Sequence, residues 1–170
     1  MRSDTLSIKC PKCGGCADFL EPFKFTNGIR ADDLPENFKR WGRLIVEELF
    51  PDHFAWVDPE ISKPRFLQST DDDGPGYRLN HRGMLDCKKC DSFEKVAIDW
   101  PLDAYWRWNI KGFELLARNR EHALEILSYL RERPRPPLRT PGLKHIPTPL
   151  LQEKHAVEVS AQMAQDLMAA

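Results

Sequence analysis

Two C-x-x-C pairs, Cys10/Cys13 and Cys87/Cys90, constrain this chain more than any other feature. Two thiolates three positions apart can sit on one tight turn and point at one ion. Two such turns supply four sulfurs at about 2.3 Å and complete a tetrahedral zinc site. Cys10, Cys13, Cys87 and Cys90 are therefore the expected ligands of one structural Zn2+. Protein fills all four positions, so no place remains for a catalytic water. There are five cysteines in all, an odd number. Met1-Arg2-Ser3-Asp4 has no apolar run behind it, so no secretory leader is expected. Both points argue against a disulfide framework and for a cytoplasmic location. A redox dithiol is the competing reading. It explains one pair and leaves the other without a role.

The first turn has the right local chemistry. In Cys10-Pro11-Lys12-Cys13-Gly14, Pro presets φ on entry and Gly permits a left-handed residue. This stretch resembles the knuckle of zinc-ribbon and rubredoxin-like proteins. The second turn, Cys87-Lys88-Lys89-Cys90-Asp91, has Asp where that pattern has Gly. Asp enters the left-handed region less easily than Gly but better than most residues. The departure counts against rubredoxin-type iron more than against zinc. Cys13-Gly14-Gly15-Cys16 is also a C-x-x-C, so Cys16 could replace Cys10. A free thiol beside the site is the expectation. His53 and His81 are weaker candidates, expected to be surface or packing residues. The Asn119-Arg120-Glu121-His122 helix start after an aromatic-rich hairpin resembles uncharacterised bacterial zinc-ribbon proteins. That resemblance implies a fold and no function.

In a simple ribbon about 15–20 residues separate the two pairs. Here residues 14–86 intervene, so the insertion must carry structure of its own. Phe38, Trp41, Ile45 and Leu49 recur at helical spacing after Asp33-Leu34-Pro35-Glu36, which reads as a capping box. A helix stopped by Pro51 is expected there. Strands are expected at Leu6 to Lys9, Phe19 to Phe25, Tyr77 to Leu85 and Phe93 to Trp100. A hairpin is expected around Lys111-Gly112. Asn119 should cap a helix whose apolar face is Ala123, Leu124, Ile126, Leu127 and Leu130. Six of residues 134–149 are Pro, which predicts an extended linker. A helix over 150–170, with a stripe of Leu150, Val157, Ala161, Ala164 and Met168, should dock on its own domain, a second copy or a partner.

The expected fold class is α+β: a zinc-ribbon antiparallel sheet with a helical insertion, a packing helix and a separate C-terminal helix. The expected organisation is a domain over 1–133 with its insertion at 26–76, the linker 134–149 and the helix 150–170.

Net charge is -1, which excludes a strongly basic nucleic-acid coat. The charge is segregated. Residues 45–76 carry eight acids and two bases, whereas 134–151 carry three bases and no acid. Asp71, Asp72 and Asp73 lack the alternating ligands and distant Glu of a calcium loop, so a solvated turn is expected. Lys9, Lys12, Lys88 and Lys89 surround the two cysteine turns and could form one positive patch. On strand 105–110, Tyr105, Arg107 and Asn109 share a face opposite Trp106, Trp108 and Ile110. Arg and aromatic side chains on a sheet can stack on exposed bases. The plainer expectation is that both Trp pack in the core.

No stretch approaches the ~18 apolar residues of a membrane span. No phosphate-binding loop, H-E-x-x-H, G-x-S-x-G or deaminase signature is present. The expected function is a non-catalytic binding module, an accessory subunit of a nucleic-acid-handling complex that uses Lys9, Lys12, Lys88, Lys89 and Arg107. The alternative is a protein-interaction adaptor, in which residues 134–170 hold a protein partner or a second copy. A thiol enzyme is the least expected class.

Overall fold

A computed structural model describes residues 5–27, 34–57, 82–137 and 141–169. The Asp71–Asp73 run, His81, Arg139 and the first part of the strand expected from Tyr77 lie outside these residues. The fold is α+β, with antiparallel sheets and, among the described residues, two α-helices. The first sheet takes β1 (Leu6–Lys9), β2 (Cys16–Leu20), β6 (Arg82–Cys87) and β7 (Ser92–Ala97), in that order. The second places β5 (Leu44–Glu48) between β3 (Phe23–Asn27) and β4 (Phe38–Trp41). The third is the hairpin of β8 (Trp106–Ile110) and β9 (Phe113–Ala117). The helices are α1 (Arg120–Arg131) and α2 (Glu153–Ala169). None of the described helices is long and apolar enough to cross a membrane.

The chain divides into two compact units. One comprises Met1–Phe19, Cys87–Ser92 and Trp100–Ala170, the other Leu20–Asp86 and Phe93–Asp99.

In the first unit, β8 and β9 turn at Lys111-Gly112, both with positive φ (52° and 85°). That is the backbone of a two-residue turn whose twist matches the strands. The alternation expected on β8 is present: Trp106, Trp108 and Ile110 are buried, Arg107 and Asn109 exposed. The buried face meets α1 and α2 in one apolar core. Trp108 Nε1 donates to Asp166 of α2 at 2.8 Å. Asn119 caps α1 by accepting from His122 N at 2.9 Å, and its amide donates to Thr5 O at 3.1 Å. One side chain thus starts the helix and fastens the chain entering β1. The backbone of β1 also bonds Arg118 O, Asp103 O and Tyr105 N, which ties the cysteine-bearing strand to the hairpin. Ala123, Ile126, Leu127 and Leu130 are buried as expected, but Leu124 is 42% exposed and Tyr129 takes a buried place.

One expectation in this unit is corrected, the phase of the C-terminal helix. The described residues of 134–149 pack against the rest of this unit. Leu143 and Ile146 are buried, Tyr129 Oη donates to Pro136 O at 3.0 Å, and Arg135 bonds the carbonyls of Leu130 and Leu151. Pro removes donors but leaves carbonyls, and those carbonyls accept here. The C-terminal helix docks on its own unit, and its buried stripe is Ala156, Val159, Ser160, Met163 and Leu167. Val157 and Met168, expected inward, are 62% and 87% exposed. Small and apolar residues surround most of this helix, so its period was legible and its phase was set by α1 and β8.

In the second unit, the expected helix through Phe38, Trp41, Ile45 and Leu49 is instead the β4–β5 hairpin, so the described part of the 26–76 insertion is made of strands and turns. Trp41 pairs with Leu44 across Gly42-Arg43, and Gly42 has φ +60°. Gly at the first central position suits a primed two-residue turn. The register places Phe38 and Ile45 on one face and Trp41 on the other, so the apparent helical stripe has no common side. Trp41 instead joins Phe23, Phe25 and Trp56 in an aromatic cluster with ring centroids 5.2–6.5 Å apart. Buried Glu48 fixes Trp56 by accepting its backbone N–H at 2.6 Å.

Candidate metal centre

The centre lies in the first unit and is built from two turns. In the first, Gly14 N donates to Cys10 O and Cys10 N donates to Gly15 O, both at 2.8 Å. Gly14 adopts φ +68°, as the Cys-Pro-x-Cys-Gly pattern requires. In the second, Asp91 takes the equivalent left-handed conformation with φ +53°, so the departure from Gly changes the residue and keeps the turn.

These turns bring the ligand atoms of Cys10, Cys13, Cys87 and Cys90 within 4.8 Å of one another. Cys10 Sγ lies 3.7 Å from Cys90 Sγ, and Cys13 Sγ lies 3.6 Å from Cys87 Sγ. Four sulfurs each about 2.3 Å from a central ion stand about 3.8 Å apart, so the donor set fits a tetrahedral ion. The four could hold one metal ion, consistent with a zinc-ribbon-like pair of knuckles.

The electrostatics suit shared charge. Cys10 is pulled down to about 7, first by the Cys13 backbone N–H aimed at its sulfur. Cys13 is pushed up to about 11. The Gly15 amide favours its thiolate, but burial and the sulfurs of Cys87, Cys90 and Cys10 together outweigh that bond. One thiol that ionises early and another that resists are what four crowded like charges produce. A divalent cation removes that conflict.

Gly15, beside Gly14 in the knuckle, is a point of close approach. Its N–H lies 3.4 Å from Cys13 Sγ. A Cβ there would meet Lys89 Cδ at 2.6 Å and Cys13 Sγ at 3.3 Å. The second Gly of Gly14-Gly15 was the available signal. Ser92 was missed, and its Oγ lies 3.2 Å from Cys90 Sγ.

Cys16 stands on β2, outside the four-sulfur group, and burial is the first cause that pushes its thiol up. His53 lies in the second unit, in the turn after Phe50, and is not among the grouped ligands of the described residues.

Lys9, Lys12, Lys88 and Lys89 are all exposed. The Lys9 and Lys89 stems run past Gly14 and Gly15, so these two lysines border the same knuckle. Arg107 points outward on β8, where its guanidinium pairs with Glu114 at 2.5 Å and reaches Leu102 O at 3.4 Å. Its charge is therefore already partnered.

The fold and site together define an α+β protein organised around a four-cysteine cluster suited to one structural ion. No protein family, curated protein or solved structure matches this chain.

Proposed function

We propose that the protein is a non-catalytic, zinc-stabilised binding module that contacts nucleic acid through the lysines of its two cysteine turns, as an accessory subunit of a nucleic-acid-handling complex. The observation that carries the reading is the convergence of two lysine-bearing turns on one four-sulfur set. An ion held by Cys10, Cys13, Cys87 and Cys90 ties the two turns to one point. Lys9, Lys12, Lys88 and Lys89 then present their charges from a rigid frame. Zinc fits four thiolates in a closed tetrahedral set, and the full coordination argues against a catalytic role for the ion. Five free cysteines suit a reducing compartment, and the proposal includes a cytoplasmic location. Arg107 belongs to the interface only where a phosphate displaces Glu114.

The test is fluorescence anisotropy of zinc-loaded protein with labelled single- and double-stranded DNA and RNA across a salt series. Four lysines that each neutralise one phosphate give a log–log salt slope no steeper than about -3.6 on duplex DNA. Micromolar binding with such a slope, lost on Lys88→Glu/Lys89→Glu substitution, supports the reading. No binding at low salt overturns it.

One observation favours a second reading. The outward face of α2 exposes Val157 and Met168. An adaptor that grips a protein partner or a second copy through residues 134–170 would use that face. Sedimentation of the full chain, alone and as Val157→Lys, tests for self-association.

A further inference from the structure

The four sulfurs are not equally protected. Cys10 and Cys87 are 1% and 0% exposed. Cys13 is half-buried and accepts from the Gly15 amide. Cys90 alone of the four is exposed. Amide hydrogen bonds and burial both lower a thiolate's reactivity toward electrophiles, so attack is directed to the sulfur that solvent reaches. The sulfur across from it is Cys10 Sγ at 3.7 Å, on the other turn.

We propose that Cys90 is a site of oxidation by hydroperoxides, and that its oxidation closes a Cys10–Cys90 disulfide that opens the metal centre. The inference rests on the zinc reading above. In the first step the Cys90 thiolate attacks a peroxide oxygen. An S–O bond forms, the O–O bond breaks, and the leaving oxygen takes a proton and departs as water from hydrogen peroxide or as an alcohol from an organic hydroperoxide. In the second step the Cys10 thiolate attacks the Cys90 sulfur. An S–S bond forms, the S–O bond breaks, and the oxygen leaves as water after a further proton. With hydrogen peroxide, two sulfurs lose two electrons and the two peroxide oxygens gain them. Two protons are consumed and two waters leave. Cys13 and Cys87 alone then face the ion, half of its donor set, and its affinity falls. Loss of the ion loosens the turns that carry Lys9, Lys12, Lys88 and Lys89, so peroxide switches the proposed surface off. Such oxidation is reversible by thiol exchange.

The experiment uses the full chain loaded with zinc and titrated with hydrogen peroxide. A chromogenic chelator reads zinc release, and alkylated, unreduced peptides map the disulfide by mass spectrometry. The expected result is one zinc released and one Cys10–Cys90 bond formed per peroxide consumed, both reversed by dithiothreitol and added zinc. Cys16→Ser, which keeps all four ligands, should behave identically. Zinc retained under excess peroxide overturns the proposal, as does a first disulfide that joins Cys13 to Cys87 or uses Cys16. Metal content is measured before peroxide is added. A chain that holds no zinc defeats the metal reading and the release step, whereas the disulfide map still decides whether Cys90 is the site.

Discussion

The two cysteine turns do the same job with different material. The first uses Gly14 at φ +68° and buries Cys10 to 1% exposure, with a second glycine, Gly15, whose amide reaches Cys13. The second uses Asp91 at φ +53°, buries Cys87 completely and leaves Cys90 exposed. The first turn relies on glycine and amide bonds. The second relies on strands β6 and β7 on either side of it and accepts some backbone strain at a non-glycine residue. The comparison teaches that a knuckle is defined by its backbone and its two sulfurs. The residue that permits the backbone is negotiable at a cost of about 1–2 kcal/mol.

The largest effect should come from breaking both turns together. For the proposed zinc form, removal of the ion with a chelator removes a contribution of about 10–16 kcal/mol in apparent binding free energy, and Cys87→Ser, which takes away one of four thiolates, removes part of it. Amide hydrogen exchange should show protection lost in β1, β2 and the Cys87–Ser92 turn. Unchanged exchange after complete metal removal would show that the ion does not hold these turns.

Gly14→Ala comes next, because Ala must enter a left-handed conformation. Its thermal midpoint should fall by an amount equivalent to about 1–2 kcal/mol. No midpoint shift would mean that the first turn does not need its glycine. Gly15→Ala should cost less, about 1 kcal/mol, since Lys89 Cδ belongs to a flexible side chain and can retreat while Cys13 Sγ at 3.3 Å yields only slightly. For the proposed zinc form its sharper signature is faster zinc transfer to a competing chelator, because the added Cβ presses on the Cys13 sulfur. Zinc transfer at the wild-type rate would argue that the Gly15 contact is incidental.

The smallest effect has the opposite sign. Asp91→Gly relieves the left-handed strain and adds unfolded-state freedom, for a net gain of about 0.5 kcal/mol. A denaturant midpoint that moves downward would show that the Asp91 side chain contributes something the backbone comparison omits.

The same contrast explains what could be read in advance. The sulfur set was legible because ligand chemistry is carried by residue type and local spacing, and neither depends on distant packing. The β8–β9 hairpin and the Asn119 cap were legible for the same reason, since Lys111-Gly112 and Asn119 act over three or four residues. Phe38 to Leu49 was misread because spacings of three and four can arise on either side of a tight turn. Gly42-Arg43 was the local sign, and it was outweighed by an apparent capping box at Asp33. The phase of α2 was not legible because Val157 and Met168 are as apolar as the residues that are buried.

By itself, then, the sequence determined the donor atoms, the turn that Gly14 permits, the α+β class and the start of α1. These are short-range consequences of side-chain chemistry and backbone sterics. Only the tertiary structure decided that residues 14–86 still let the second pair meet the first, that Cys90 is the sulfur left open to solvent, that Arg107 is neutralised by Glu114, and that α2 lies on α1. Each of those depends on which surfaces exclude water together. That choice is made by the whole set of apolar faces at once and not by any one segment.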